Sequence, residues 1–241
     1  MNLNSSLNRS LNRSLPALTV LSGALAILAF IGVLPAPLAF VFKPLTTVLV
    51  IAFAWPRGSD APQQRRLIRT GLVLSLAGDV FLLWPVQGFL PGLVAFLLAH
   101  LAYIAAFCVP VKFAAKPMLF VAYAAAAALI LSQLWPGVPN ALRVPVLAYV
   151  ACLATMAAQA AAWWRSRTGM AAPDAAPDVA PDAAADATLA RAAALGGLLF
   201  MASDSLLAIN KFAAPLPLSS LWILLTYWSA QWCIASALRP R

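Results

Sequence analysis

The chain has 241 residues, of which 63% are hydrophobic and 10% charged. A soluble domain is about half apolar and about a quarter charged, so this composition excludes a water-bathed globule and points to a surface facing lipid. The net charge of +9 is no sign of nucleic-acid binding, because the Lys and Arg cluster in loops between apolar runs, as the positive-inside rule expects.

The N-terminal residues repeat Ser-Leu-Asn-Arg, at Ser6 to Arg9 and again at Ser10 to Arg13. They read as a polar, mobile lead-in over residues 1–15. A membrane helix needs about 20 apolar residues, and eight stretches qualify, at about residues 16–34, 38–56, 67–84, 88–109, 117–134, 144–164, 190–209 and 219–238. The fold class expected is therefore all-α, a polytopic integral membrane protein of eight transmembrane helices filling 16–238. Pro35 and Pro37, Trp55-Pro56-Arg57-Gly58, Trp84-Pro85, Pro110, Trp135-Pro136-Gly137, and Pro215 with Pro217 mark the breaks. Tryptophans at several span ends fit an interfacial belt. The first span has no convincing small-residue cleavage site after it and reads as an uncleaved helix. Between the sixth and seventh spans, Pro-Asp recurs at 173, 177 and 181. Such a tract cannot bury a core, so residues 168–188 are expected to be a disordered Ala/Pro/Asp-rich loop on the cytoplasmic side.

Charge sets the orientation. Alternate loops collect Arg9, Arg13, Arg57, Arg65, Arg66, Arg69, Lys112, Lys116, Arg165, Arg167, Arg191, Arg239 and Arg241 on one side, and only Arg143 and Lys211 on the other. Both termini are therefore expected in the cytoplasm. The composition, rich in Ala and Arg and without Glu, suggests a bacterial inner (cell) membrane. Cys108, Cys152 and Cys233 lie in separate spans and read as small hydrophobes rather than a disulfide or metal set.

Four ionisable residues interrupt the apolar runs: Lys43, Asp79, His100 and Asp204. A charge at the bilayer centre costs about 2.5–3.5 kcal/mol on insertion scales, so such residues are candidates for function. With about 1.5 Å of rise per residue, Lys43, Asp79 and Asp204 each lie roughly 8 Å below the outer surface, and His100 about 18 Å. Tyr227 and Gln231, four apart on one helix face, bracket that interval. One polar pocket between helices is expected. The competing readings are that Lys43 snorkels to the headgroups, that His100 is a satisfied core histidine, and that Tyr227 and Gln231 join helices by hydrogen bonds. One lysine cannot neutralise two carboxylates. Leu76-Ala77-Gly78-Asp79 and Met201-Ala202-Ser203-Asp204 each place a small residue before the Asp, which lets helix backbones approach closely.

Gly78-Asp79 followed by Phe89, Gly92, Phe96, His100 and Tyr103 resembles the YhhN family of bacterial membrane proteins, whose animal relatives are the transmembrane lysoplasmalogenases. Lys43-Pro44-Leu45-Thr46, the segment from Gly197 through Leu199, Phe200 and Ser203-Asp204, and the closing Tyr227 and Gln231 fit the same family. The likeness spans about residues 38–238, with the acidic tract as an insertion. It implies an eight-helix fold and hydrolysis of the vinyl ether of a lysoplasmalogen, a lysophospholipid, to a fatty aldehyde and glycerophosphoethanolamine or glycerophosphocholine. It implies Asp79 and Asp204 as the catalytic pair. Lys43, Ser203, His100, Tyr103, Tyr227 and Gln231 are then expected around the substrate.

Two carboxyls suit that chemistry. Protonating the β-carbon of a vinyl ether gives an oxocarbenium ion, which needs an acid and a nearby anion, as in glycosidase dyads. No cofactor and no metal is expected: catalytic zinc usually takes three protein ligands, often His or Cys, and this chain has one His. A Ser–His hydrolase would have to use Ser75 or Ser203 with His100, and no Gly-x-Ser-x-Gly elbow is present. The competing class is a proton-coupled transporter or carrier of a lipid or other amphiphile. No clear inverted repeat or pair of broken helices supports it.

Overall fold

The computed structural model describes residues 3–168 and 180–240. Among these residues it contains eight α-helices and no strand: α1 Leu3–Phe30, α2 Pro37–Ala54, α3 Pro62–Phe81, α4 Phe89–Cys108, α5 Pro117–Leu134, α6 Arg143–Thr168, α7 Ala180–Phe212 and α8 Ser219–Ser236. Two single 3₁₀ turns, Trp135–Gly137 and Asn140–Leu142, join α5 to α6. Prolines stand at the first helical positions of α2, α3 and α5, where the missing N–H is an unsatisfied group anyway.

Among the described residues, five segments are long and apolar enough to cross a membrane: Pro37–Ala54, Phe89–Cys108, Pro117–Gly137, Asn140–Thr168 and Asp182–Phe212. The expectation of eight such stretches exceeds that number for three physical reasons. The apolar part of α1 covers only Ser14–Phe30. The first half of α3 carries Gln63, Gln64, Arg65, Arg66 and Arg69, and α8 spends positions on Ser, Thr, Tyr and Gln.

Two loop expectations are corrected. The lead-in is helical from Leu3 onward, with Leu3, Leu7, Leu11 and Leu15 repeating at the four-residue helical spacing. The acidic loop ends earlier than residue 188, because α7 begins at Ala180. Alanine is the strongest helix former, Pro181 suits a first turn, and Asp182 sits favourably at the helix N-terminus. Residues 169–179 of that loop lie outside the described residues. Asp182 and Asp186 face Arg239, at 3.3 and 2.8 Å, and Asp60 reaches the same guanidinium at 3.5 Å. The Arg239 carbonyl accepts the N–H of Gly58 at 2.9 Å. One end of the bundle is thus tied through the C-terminal segment.

Helices α2, α3, α4, α6, α7 and α8 form a closed round of neighbours. Helix α1 packs outside it on α2 and α8, and α5 packs outside it on α6 and α7. Only Ala127 and Leu134 of α5 are buried, and its Met118, Val121 and Leu129 are exposed. Inside the round, Phe96, Phe200 and Tyr227 meet edge to face with ring centroids 5.5–6.2 Å apart. These geometries are the preferred ones for aromatic pairs.

Helices α3 and α4 touch through Gly71 and Gly78, one face of α3. A Cβ at Gly71 would stand 2.2 Å from the Tyr103 ring, and one at Gly78 would stand 2.5 Å from the Phe96 ring. Close approach here holds Asp79, the next residue, at a fixed depth. Overpacking a core costs about 1–3 kcal/mol. Gly78→Leu is therefore expected to lower the melting temperature of the detergent-solubilised protein, read by tryptophan fluorescence. An unchanged melting curve would contradict this packing.

Candidate active site

Asp79 comes from the last turn of α3 and is buried, with 1% exposure. Its carboxylate Oδ2 accepts hydrogen bonds from Thr47 at 2.6 Å and from Tyr227 at 2.8 Å. Lys43 approaches from α2: its Nζ lies 3.7 Å from Asp79 Oδ1 and donates to the Asp79 carbonyl at 3.1 Å. Lys43 and Thr47 are four residues apart, so one face of α2 supplies both. The Lys43 ammonium points into the bundle, with the residue 5% exposed, rather than out to the headgroups.

Further hydrogen bonds from α4 and α8 fix these donors. Trp228 Nε1 donates to Thr47 Oγ1 at 3.2 Å, Gln231 Nε2 donates to the Tyr227 hydroxyl at 3.2 Å, and Tyr103 donates to Gln231 Oε1 at 2.8 Å. A hydrogen-bonded chain thus runs from α4 through α8 to α3.

Asp204, on α7, has a separate set of partners. Its Oδ2 accepts a short hydrogen bond from the Tyr149 hydroxyl of α6. That hydroxyl also lies 3.1 Å from His100 Nε2, which is itself 3.8 Å from Asp204 Oδ2. Ser203, adjacent to Asp204, donates to the Ile223 carbonyl at 3.0 Å and so couples α7 to α8.

Asp79 and Asp204 line one cavity of about 260 Å³, together with Lys43, Ser203 and Tyr227. No hydrogen bond joins the two carboxyls among the described residues; each is held from its own side. Phe30, Pro85, Asn210, Lys211, Ser219 and Ser220 also border the cavity. They lie at the ends or beginnings of helices at one end of the bundle, opposite the end tied by Arg239. The cavity therefore reaches the end that carries Lys211.

Of the eight residues expected around a site, the cavity wall takes five: Lys43, Asp79, Ser203, Asp204 and Tyr227. His100, Tyr103 and Gln231 stand behind the wall. All three are fully buried, and each bonds a residue on or near the wall. Sequence reasoning missed Thr47, Tyr149 and Lys211. Thr47 carries a usable signal, the i+4 position from an intramembrane lysine.

A comparison with protein families matches residues 38–238 to the YhhN family. The chain belongs to the YhhN family. The curated relatives of this YhhN chain include lysoplasmalogenase TMEM86A of Bos taurus, 34% identical over 176 residues, and its Homo sapiens counterpart, 34% identical over 179 residues. Each alignment covers 72% of this chain and 66% of the relative, so the chain spans just under two thirds of their length. Lysoplasmalogenase TMEM86B of Homo sapiens is 33% identical over 203 residues, covering 83% of this chain and 76% of the relative. No solved structure matches.

Removing one partner of a buried ion pair costs about 3–5 kcal/mol, because the other charge is left uncompensated. Lys43→Met and Asp79→Asn are each expected to lower the melting temperature, and the double variant to recover part of the loss. A double-mutant cycle of melting temperatures checks this. Additive losses would show that the two groups do not interact.

Proposed function

We propose that this YhhN protein is a membrane hydrolase that cleaves the vinyl ether bond of lysoplasmalogens, releasing a fatty aldehyde and the glycerophospho-headgroup. Two carboxyls bordering one cavity carry the reading, supported by membership of a family whose curated relatives are named lysoplasmalogenases. All eight helices cross the membrane in this reading, with both termini in the cytoplasm. The charge asymmetry of the loops supports that orientation, and helix lengths of 18–33 residues supply the needed reach.

Asp204 acts as the general acid and Asp79 as the carboxylate. Two hydroxyls and the Lys43 ammonium surround Asp79, a set of donors that suits an anion. Asp204 Oδ2 accepts from Tyr149, and Oδ1 has no hydrogen-bond partner among the described residues. The Asp204 carboxyl gives its proton to the β-carbon of the vinyl ether, and the carbon–carbon π electrons form the new C–H bond. Positive charge develops on the adjacent carbon and ether oxygen, where the Asp79 carboxylate stabilises it, since a charge already held in place needs no reorganisation. Water then adds to the cationic carbon and gives up a proton to a carboxylate. The hemiacetal hydroxyl then loses its proton to the carboxylate as its bond to the glycerol oxygen breaks, and that oxygen takes the proton held on the other carboxyl, yielding aldehyde and alcohol. Tyr149 and His100 hold Asp204 in place, and Lys43 and Tyr227 hold Asp79.

General acid catalysis contributes about 10²–10⁴-fold. Asp79→Asn and Asp204→Asn are each expected to reduce aldehyde release from lysoplasmalogen by at least that factor in detergent, below the melting temperature of the variant. The Lys43→Met/Asp79→Asn protein should be equally inactive although its buried charge is removed. Near wild-type turnover in either single variant would overturn the acid–carboxylate pair. Absence of aldehyde from the wild-type protein would overturn the hydrolase reading, since an enzyme needs no gradient and a carrier makes no product.

A further inference from the structure

A second void meets the polar cavity at Asp204. It is a crevice of about 90 Å³ between α4, α5, α6 and α7. Phe96, Leu131, Leu153, Ala154, Met201 and Ala208 are among its walls, with Tyr149 and Asp204 supplying polar atoms. Leu82, Phe89, Phe96, Asp204, Leu207 and Lys211 border both voids.

The crevice is walled on one side and open on the other: Leu131, Leu207 and Ala208 are half-buried and Lys211 is exposed. Phe96, Leu153, Ala154 and Met201 are 5–8% exposed, while the outer face of α5 presents Met118, Val121 and Leu129, 60–76% exposed. The polar cavity, about 260 Å³, falls below the range of about 300–1,000 Å³ usual for small-molecule sites. It cannot enclose both ends of an amphiphile. A molecule with a polar head and one hydrocarbon chain fits the two voids together, with the junction between head and chain at Asp204.

We infer that the crevice between α4, α5, α6 and α7 receives the first carbons of the single hydrocarbon chain of a lysolipid whose headgroup occupies the polar cavity. This rests on the lysolipid reading of the site and assigns it a chain subsite. At about 90 Å³ the crevice is smaller than the polar cavity, and it takes the carbons nearest the junction. The rest of the chain runs on along α5, of which Ala127 and Leu134 are the buried residues, toward lipid. Chain length beyond the first carbons should therefore matter little, and bulk near the ether should matter strongly. Lys211, bordering both voids with its ammonium 4.1 Å from the Phe89 ring centroid, stands at the mouth.

The test uses the full-length protein in detergent and a lysophosphatidylcholine whose chain carries a photoreactive diazirine close to the glycerol end. Labelled residues are mapped by mass spectrometry in the wild type and in Ala154→Leu and Ala208→Leu, each of which narrows the crevice at a different depth. Labelling is expected on crevice residues of α5, α6 or α7, and to fall about tenfold in both variants, the scale of an overpacked contact. In parallel, each variant should lose about tenfold in kcat/KM for lysoplasmalogens of long and short chain alike. Labelling confined to Met118, Val121, Leu129 and other outward positions, unchanged in the variants, would overturn the chain subsite even if hydrolysis is normal. Crevice labelling by a protein that releases no aldehyde would uphold the subsite while removing the hydrolase reading.

Discussion

Burial of Asp79 in the middle of the helix bundle is the constraint on which the rest depends. An ionised carboxylate away from water costs several kcal/mol unless it is paired and hydrogen-bonded. Its compensation comes from three helices at once: Lys43 and Thr47 of α2, Tyr227 of α8, and, behind them, Tyr103 of α4 through Gln231. Four helices of the closed round are thereby committed to one register. A one-residue rotation of α2 would turn both Lys43 and Thr47 away from α3 and leave the carboxylate exposed to apolar side chains. The cost of the charge is thus also what makes the arrangement specific.

The two carboxyls differ in setting, and the difference suits division of labour. Asp79 is enclosed and surrounded by donors, whereas Asp204 lies where the polar cavity meets the apolar crevice and is held by the Tyr149 hydroxyl with His100 beside it. An acid must reach the reacting carbon, which in an alkenyl ether belongs to the chain. A stabilising carboxylate acts through its field and does not need that contact. In the proposed reaction, an acid at Asp204 would stand where the head and chain of an alkenyl lysolipid join.

Much of this was legible in the sequence because ionisable residues are so scarce in its apolar runs. Lys43, Asp79 and Asp204 announced themselves by cost alone, and their common depth followed from helix rise. Tyr149 and Lys211 did not. A tyrosine in a membrane helix is ordinary, and nothing in Leu147-Ala148-Tyr149-Val150 indicates that its hydroxyl ends at Asp204. Lys211 read as a loop charge because span ends are uncertain by a few residues. His100 and Gln231 were expected by depth, and Tyr103 through the family resemblance, but depth along a helix does not say which side of it faces a cavity. Helix ends were misjudged where local propensity outweighed polarity: the Ala- and Asp-rich residues from Ala180 and the Leu-spaced residues from Leu3 form helix despite reading as loop.

The central claim is that the side chains at positions 79 and 204 border one cavity, and chemical cross-linking tests it directly. Cys108, Cys152 and Cys233 would be replaced, cysteines introduced at 79 and 204, and a protease site placed between α6 and α7. After treatment with a short bifunctional thiol reagent in detergent and then protease, the two halves should migrate as one species on a denaturing gel, and controls with a single introduced cysteine should separate. Complete separation of the halves in the double-cysteine protein, with both thiols shown to have reacted, would place the carboxyls in different compartments and contradict the account.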